Sequence, residues 1–399
     1  MSRLPVRILL SLISVGALFL SFAASAPQDN ERPLHKTSYR AINVHAHFDA
    51  PNEEALKAEL EVMDRVGIVS EVNLDVGRSD GNLPAWIELR KKHPGRFVLF
   101  AKFTLKDFAR IKEAGFFEEL VRELEREAKL GIQGVKIWKD LGMYIRDGSG
   151  VLLKVDDPRL DPFWTKCGEL GLPVLIHTAD PKEYWYPLTY NSLHYGTRSE
   201  NDQHYRNSEM PRWEELIRQR DNVVAKHPKT TFIGAHFGSM TFELQQLAET
   251  LDRFPNFHVE CAARLRILGR LNPQAVRDFF AKYQDRILFG TDGGVLLAGR
   301  KAGASKNITV YPVDDPEWVR VDPADADAVR RWKEKQALFY SRYFEYFETD
   351  RLDLVDPSGF APESLRLRGA KLSAEVLEKF YHANAERLIP GLRPNGEKK

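Results

Sequence analysis

Short apolar runs alternate with amphipathic stretches along most of this chain of 399 residues. The runs are rich in β-branched residues, whereas the stretches between them repeat their apolar positions with the period of a helix. The runs predict strands at residues 40–47, 68–75, 97–105, 133–139, 173–178, 231–236, 257–262 and 286–291. The stretches predict helices at residues 53–66, 83–93, 114–130, 158–170, 211–226, 242–253, 273–283, 328–347 and 373–388. Eight strand–helix pairs in series are the count of a (β/α)8 barrel.

An open, doubly wound sheet is the alternative arrangement for eight parallel strands. However, no Gly-x-Gly-x-x-Gly or Gly-Lys-Ser/Thr phosphate loop follows any predicted strand. We therefore predict an α/β fold with a TIM-like barrel. Two excursions interrupt it, at residues 184–210 and about 296–323. The first is rich in aromatic residues, which predicts either a lid over the barrel mouth or a subunit contact in a homodimer.

Composition excludes several classes of protein. The 58 Lys+Arg nearly balance the 57 Asp+Glu, so no basic excess favours nucleic acid as a partner. The two cysteines, Cys167 and Cys261, are too few for a disulfide scaffold and are expected to be buried thiols. Any bound metal must therefore be held by histidines and carboxylates. The expected partner is a small-molecule substrate.

The first 26 residues have the layout of a secretory signal. Arg3 and Arg7 precede an apolar run at residues 8–22, and small residues follow it. The run is shorter than the roughly 20 residues that a membrane span requires, although an uncleaved anchor is the alternative. We predict a signal peptide at 1–26, a disordered lead-in at 27–38, the barrel at 39–390 and a tail at 391–399. This predicts an exported protein, periplasmic or secreted, with no stable membrane span after cleavage.

Residues that can carry chemistry lie at the ends of several predicted strands. His45 and His47 share one face of the first strand, because successive side chains of a strand point to opposite faces. His177, His236 and Asp292 end the fifth, sixth and eighth strands. In a (β/α)8 barrel the carboxyl ends of all strands meet on one face, so these side chains are expected to share a site. The alternatives are surface histidines for the first pair and a structural histidine for His236.

These strand ends resemble the amidohydrolase superfamily, and within it the amidohydrolase-related group that includes aminocarboxymuconate semialdehyde decarboxylase. The matching motifs are Val44-His45-Ala46-His47, Leu175-Ile176-His177, Gly234-Ala235-His236, Phe289-Gly290-Thr291-Asp292 and the closing Tyr381-His382-Ala383-Asn384-Ala385-Glu386-Arg387-Leu388. The resemblance covers about residues 40–389, apart from the two excursions and residues 350–371. It implies a barrel of the metal-dependent hydrolase type.

The resemblance also implies that His45, His47, His177 and Asp292 hold one divalent metal, most often zinc. His236 and Asp292 would be the catalytic residues that move protons. The chemistry of these side chains supports a zinc site independently of the resemblance, because three imidazoles and a carboxylate suit Zn²⁺. A coordination position left to water makes such a site catalytic. Zinc lowers the pKa of its bound water to about 7. An unperturbed histidine has a pKa of about 6.5, which suits His236 to moving a proton at neutral pH.

The expected function is a metal-dependent hydrolase, in which metal-activated water attacks the carbonyl of a lactone, ester or amide of a small carboxylated substrate. One alternative is a non-oxidative decarboxylase of an aromatic or unsaturated acid, which uses the same set of residues. An alternative of another class is a non-catalytic exported binding protein. The motifs do not separate the two reactions.

Three basic residues are expected to bind the substrate. Lys136 and Trp138 share one face of the fourth strand, and Lys139 lies on the other face as a solvated loop residue. We expect Lys136 to be a cation for a substrate carboxylate; the alternative is a carboxylated lysine that bridges a second metal. Arg264 and Arg266 follow the seventh strand and suit carboxylates, although surface arginines are the alternative.

Two acidic residues have expected partners. Asp180 follows His177 closely and is expected to orient its ring, with a helix or loop cap as the alternative. Glu260 lies within the seventh strand and needs a partner if it points inward.

Overall fold

The computed structural model describes residues 33–77, 81–187, 189, 203–297, 320–356 and 365–393. The predicted signal peptide lies outside these ranges, as do most of the two excursions. Among the helices of the described ranges, none is both long and apolar enough to cross a membrane. Residues 34–37, which the sequence assigned to the lead-in, contact the barrel: the amide of Thr37 donates to the carbonyl of Val66.

Ten parallel strands form one sheet in the described part of the chain, in the order β10-β9-β1-β2-β3-β4-β5-β6-β7-β8. They are β1 (Ala41–Phe48), β2 (Ile68–Gly77), β3 (Phe97–Phe103), β4 (Gly134–Ile137), β5 (Val174–Ile176), β6 (Phe232–Gly234), β7 (Phe257–Glu260), β8 (Ile287–Leu288), β9 (Gly293–Leu297) and β10 (Arg320–Val321). The first eight correspond to the predicted strands. β9 and β10 were not predicted.

Hydrogen bonds between β1 and the segment after β8 close the sheet into a ring. The amide of Val44 donates to the carbonyl of Phe289 over 2.9 Å, and the amide of Asp292 donates to the carbonyl of His45 over 3.0 Å. β9 then continues beside β1, with Ala46 opposite Gly293. The predicted (β/α)8 barrel is confirmed.

Helices follow the strands and cover the outside of the ring. The longer ones are Glu53–Val66, Leu83–Lys92, Phe116–Leu130, Asp161–Glu169, Trp213–Lys226, Leu244–Arg253, Pro273–Lys282 and Ala326–Glu348. The closing helix is Ala374–Glu378, a π-helical turn at Lys379–Ala383, and Asn384–Leu388. Its predicted N-cap is confirmed, because the hydroxyl of Ser373 accepts from the amide of Val376. The predicted helix ends agree with these bounds to within a few residues.

The closing helix seals the amino-terminal end of the barrel. The side-chain amide of Asn384 donates to the carbonyls of Gln284 and Ile287, just before and within β8. Apolar side chains of the strands pack inside the ring against those of the closing segment: Ile42, Val44, Val72, Leu74, Val98, Phe100, Leu175, Ile233, Leu288, Ala385, Ile389 and Leu392. The polar side chains at the opposite, carboxyl ends of the strands therefore lie at the mouth of the barrel.

Both cysteines are free and buried, as expected. Burial raises the pKa of the Cys167 thiol and that of the Cys261 thiol, so both stay protonated and unreactive.

Candidate metal centre

Three ligand atoms converge at the mouth of the barrel. Nε2 of His45 lies 3.2 Å from Nε2 of His47 and 3.2 Å from Oδ1 of Asp292, and Nε2 of His47 lies 3.0 Å from the same oxygen. Ligands placed about 2.0–2.1 Å from a tetrahedral zinc ion are separated by about 3.3 Å. The three atoms are therefore spaced as ligands of one small cation.

Each of these two histidines is oriented by a buried carboxylate. Nδ1 of His45 lies 2.9 Å from Oε1 of Glu260, and Nδ1 of His47 lies 2.9 Å from Oδ2 of Asp75. The carboxylates make Nδ1 the donor on each ring, so the lone pair of each neutral Nε2 would be directed at the shared point when a cation displaces the proton there. A carboxylate behind a ligating histidine is the usual support of a metal site.

The electrostatics of the mouth favour a positive charge at that point. Burial lowers the pKa of His47, but Asp75 and Asp292 outweigh it and raise the value to about 9. Burial raises the pKa of Asp292, but His45 and His47 hold it well below its ordinary range. A divalent cation bound there would supply the charge that these carboxylates attract.

His236 and His177 lie beside the three converging groups. The ring of His236 is 4.9 Å from that of His45 and 4.5 Å from that of His177, centroid to centroid. Ligand atoms of His45, His236 and Asp292 all lie within 4.8 Å of one another. Nε2 of His177 is buried and has no hydrogen-bond partner among the described residues. A buried nitrogen without a partner is costly and fits a fourth ligand that needs a metal.

The protonation of His236 differs from the sequence-based expectation. Its Nδ1 donates to the carbonyl of Ala262 over 2.8 Å, so Nε2 carries the lone pair. Burial, reinforced by Arg264, lowers its pKa to about 3, where the sequence suggested a value near 6.5. His236 is therefore a neutral hydrogen-bond acceptor at physiological pH.

Strained backbone clusters at this end of the barrel. Left-handed conformations in residues other than glycine cost free energy and persist where surrounding structure holds them. Seven such residues occur in the described part of the chain, and all but Lys371 follow strands β5 to β8: Ala179, His236, Phe237, Ser239, Ala263 and Asp292. The turns that present the candidate ligands are thus held in place by their surroundings.

Lys136 lies inside the mouth, as predicted from the alternation of the fourth strand. Its Nζ is 3.4 Å from Nε2 of His45 and 5.6 Å from the ring centroid of Trp138. Burial lowers its pKa to about 8, although Glu260 and Asp292 oppose the shift. Lys136 therefore places a cationic group directly beside the candidate ligands.

The two arginines after β7 are both buried, so the surface-arginine alternative is wrong. Nε of Arg266 donates to Oδ2 of Asp356 over 2.8 Å, and both groups of this ion pair are buried. Arg264 instead contributes to lowering the pKa values of His177 and His236 through its charge. Arg264 is therefore the arginine whose charge acts on the site.

The interpretation of Asp180 and Lys139 was wrong. Oδ1 of Asp180 accepts from Lys139, and Oδ2 lies 2.8 Å from Nε2 of His204, so no oxygen of Asp180 supports His177. The left-handed turn at Ala179 separates Asp180 from the ligand that precedes it. Lys139 is consequently an ion-pair partner within the fold and not a solvated loop residue.

Sequence reasoning missed the role of Asp75 and did not name the partner of Glu260. Asp75 lies near the end of β2, where it accepts from His47 and pairs with Lys102 over 3.4 Å. Asp75 ends the predicted second strand as His177 and Asp292 end theirs, but Ser70, Glu71 and Asn73 interrupt the apolar run before it, so the end of that run was not conspicuous. The inward-pointing Glu260 was expected to need a partner, and that partner is His45.

The amidohydrolase family model matches residues 42–391. None of the curated proteins compared with the chain matches it. Three solved structures illustrate the similarity. A probable 2-pyrone-4,6-dicarboxylic acid hydrolase from Acinetobacter baumannii is 14% identical, with 75% of this chain and 95% of that chain covered and a TM-score of 0.38.

The other two comparisons cover more of this chain. A manganese-bound 5-carboxyvanillate decarboxylase from Novosphingobium aromaticivorans is 14% identical, with 89% of this chain and 99% of that chain covered and a TM-score of 0.46. A 4-oxalomesaconate hydratase from Rhodopseudomonas palustris is 13% identical, with 88% of this chain and 96% of that chain covered and a TM-score of 0.45.

Proposed function

The chain belongs to the amidohydrolase family, and on that premise we propose that it is a metal-dependent hydrolase acting on the carbonyl of a small carboxylated substrate. The observation that carries the proposal is the convergence of His45, His47 and Asp292 within 3.0–3.2 Å. His177 would complete the ligand set. A divalent cation bound there would supply a Lewis acid that polarises an oxygen atom.

The tautomer of His236 allows it to accept a hydrogen bond from an attacking water. Its Nδ1–H is committed to the carbonyl of Ala262, so Nε2 can accept a proton but carries none to give. Attack by water requires a group that takes a proton from the nucleophile. Decarboxylation requires a proton donor to the carbon that loses CO2, and Lys136, not His236, is the cationic group of the mouth that could serve it. With a pKa lowered to about 3, His236 is a weak base, so we propose that it accepts a hydrogen bond from the attacking water, whose acidity a bound cation would raise.

The basic residues of the mouth support a carboxylated substrate. Lys136 lies next to His45, and Arg264 acts electrostatically on His177 and His236. A carboxylate on the substrate would pair with these cations while the scissile carbonyl lies at the candidate metal centre. Arg266 is less suited to the same role because its ion pair with Asp356 already compensates its charge.

A substrate panel tests the reaction. Purified, metal-supplemented protein would be incubated with lactones, esters, amides and unsaturated or aromatic acids, with both CO2 and hydrolysis products measured. We expect hydrolysis of at least one carboxylated lactone, ester or amide without CO2. Release of CO2 with no hydrolysis product would assign a decarboxylase instead, and binding without any turnover would support the binding-protein alternative.

Lys136→Met tests the substrate-binding role. Losing a hydrogen bond to a charged group costs about 1.5–3 kcal/mol, which corresponds to a roughly 10- to 150-fold lower kcat/KM for a carboxylated substrate. The same variant should lose little with an uncharged ester of the same shape, which is the internal control. A fall in bound metal from two equivalents to one would instead identify Lys136 as a carboxylated bridging ligand.

A further inference from the structure

The side chain of Asn43 joins the two chain segments that carry the converging ligands. Its Nδ2 donates to Oε1 of Glu71 over 2.7 Å and to Oγ1 of Thr291 over 2.9 Å. Its Oδ1 accepts from the amide of His45 over 3.2 Å and from the amide of Thr291 over 3.0 Å. Asn43 is fully buried, and both N–H groups and both lone pairs of its amide are used.

These bonds fix how β1 lies against the segment that follows β8. The amide of His45 belongs to one candidate ligand, and Thr291 directly precedes another, Asp292. The carbonyl of His45 also accepts from the amide of Asp292 over 3.0 Å. Asp292 has a left-handed backbone (φ 69), which surrounding structure must hold. Asn43 therefore supports the placement of Oδ1 of Asp292 beside Nε2 of His45.

Two backbone amides on one side and Glu71 on the other determine which way the amide of Asn43 points. Glu71 is fully buried, and its Oε1 also lies 3.1 Å from the hydroxyl of Tyr340, which donates to Glu59 over 2.6 Å. The amides of His45 and Thr291 can only donate, so Oδ1 of Asn43 faces them. The N–H groups of Asn43 then face Oε1 of Glu71, which accepts from one of them. Reversing the amide would place oxygen against oxygen and leave both backbone donors opposite N–H groups.

We propose that Asn43 is a positioning residue for the metal centre, and that Glu71, in the layer between barrel and helices, holds the N–H side of its amide in place. The inference rests on the proposed function, because it assigns these residues to the placement of metal ligands. Neither residue touches the reacting atoms. Their effect passes through the backbone at His45 and Thr291.

Reversing the polarity of the pair tests the inference. Asn43→Asp keeps the size of the side chain but places a carboxylate oxygen against Oε1 of Glu71. We expect Co²⁺ affinity about 10- to 100-fold below that of the wild type, the usual cost of losing an outer partner of a metal ligand. Glu71→Gln alone should weaken binding less, because its amide can still present an oxygen to Asn43.

The double variant, Asn43→Asp with Glu71→Gln, restores a donor opposite an acceptor, since the glutamine amide can donate to the new carboxylate. We expect it to recover most of the lost affinity. The visible absorption of bound Co²⁺, which reports ligand geometry, should also return towards that of the wild type. The thermal midpoint of each metal-free variant would be measured in parallel.

The outcomes are distinguishable. Equal Co²⁺ affinity and spectra in wild type and Asn43→Asp, with only a lower thermal midpoint, would overturn the inference by showing a purely structural role. A wild type that binds no Co²⁺ would overturn the proposed function as well. If Asn43→Asp does not fold, Thr291→Val removes one acceptor of Asn43 and should weaken Co²⁺ binding, with Thr291→Ser as the matched control. Equal binding by those two variants would also count against the inference.

Discussion

Replacing both His45 and His47 with alanine should abolish metal binding and turnover together. The two Nε2 atoms and Oδ1 of Asp292 are mutually 3.0–3.2 Å apart, so the double variant removes two of three converging donors. Elemental analysis after metal-supplemented expression should show about one equivalent of divalent metal per chain in the wild type and less than about 0.1 equivalent in the variant. Activity should fall on the order of 10⁴-fold or more, because groups that act as a unit fail together.

The matched control removes two histidines from outside the mouth. His35 contacts Glu348, and His382 contacts Glu378 and Glu386, all away from the ligands. His35→Ala with His382→Ala should keep the metal and most of the activity. Retained turnover in the His45 and His47 variant would refute the assignment. Less than half an equivalent of metal in the wild type would count heavily against a metal enzyme.

The barrel could be predicted because its strands are covered on both faces. Parallel strands that are buried on both faces have nearly continuous apolar sequences. A polar residue that ends such a run is therefore easily recognised in the sequence. His177 and Asp292 were located in this way, and the structure places both at the mouth. β9 escaped detection because it begins with Gly293 and Gly294, which carry no side-chain pattern, and lies where the second excursion was expected to begin.

The partners of the charged groups could not be predicted, because they depend on distances across the barrel. Asp180 lies three residues from His177 in sequence, yet it bonds Lys139 and His204. Conversely, Glu260 lies 215 residues from His45 and contacts it directly. Sequence order identifies the face on which a side chain lies, but the turn after each strand decides which neighbour it meets.

Burial is the other quantity that the sequence left open. The motif at His236 suggested a histidine of ordinary pKa, and the alternation of β4 suggested that Lys136 faces the site as a cation for a substrate carboxylate. Both are buried inside the mouth, which lowers the pKa of His236 to about 3 and that of Lys136 to about 8. The residues were located from the pattern, whereas their protonation states follow from the closed barrel around them.

Glu260→Gln should weaken metal binding about 10- to 100-fold while leaving the barrel folded. Glu260 is fully buried; its Oε1 contacts Nδ1 of His45 and accepts from the amide of His236, and its Oε2 accepts from the amide of Ala262. One carboxylate thus links the ends of β1, β6 and β7. Glutamine keeps one acceptor oxygen but turns an N–H group towards a donor. Competition with a chelator would measure the affinity.

The pH dependence of the metal-free protein gives a second readout of the same variant. Burial raises the pKa of Glu260, but His45 outweighs it and lowers the value from 4.5 to about 2. A carboxyl group whose pKa is lower in the folded state stabilises the fold above its unfolded value and loses that contribution as pH falls. Urea unfolding should therefore show wild-type stability decreasing between about pH 4.5 and pH 2, with a smaller decrease in Glu260→Gln.

Glu260→Ala separates support of the ligand from support of the fold. It leaves the ring of His45 and two backbone amides without their acceptor in a buried site, and removing one partner of a buried pair costs about 3–5 kcal/mol. We expect this variant to lose much of its stability as well as its metal affinity. Glutamine and alanine variants with equal stability and unchanged affinity would show that His45 is held by β1 alone. A stable glutamine variant with weakened affinity would show that the carboxylate directs the ring.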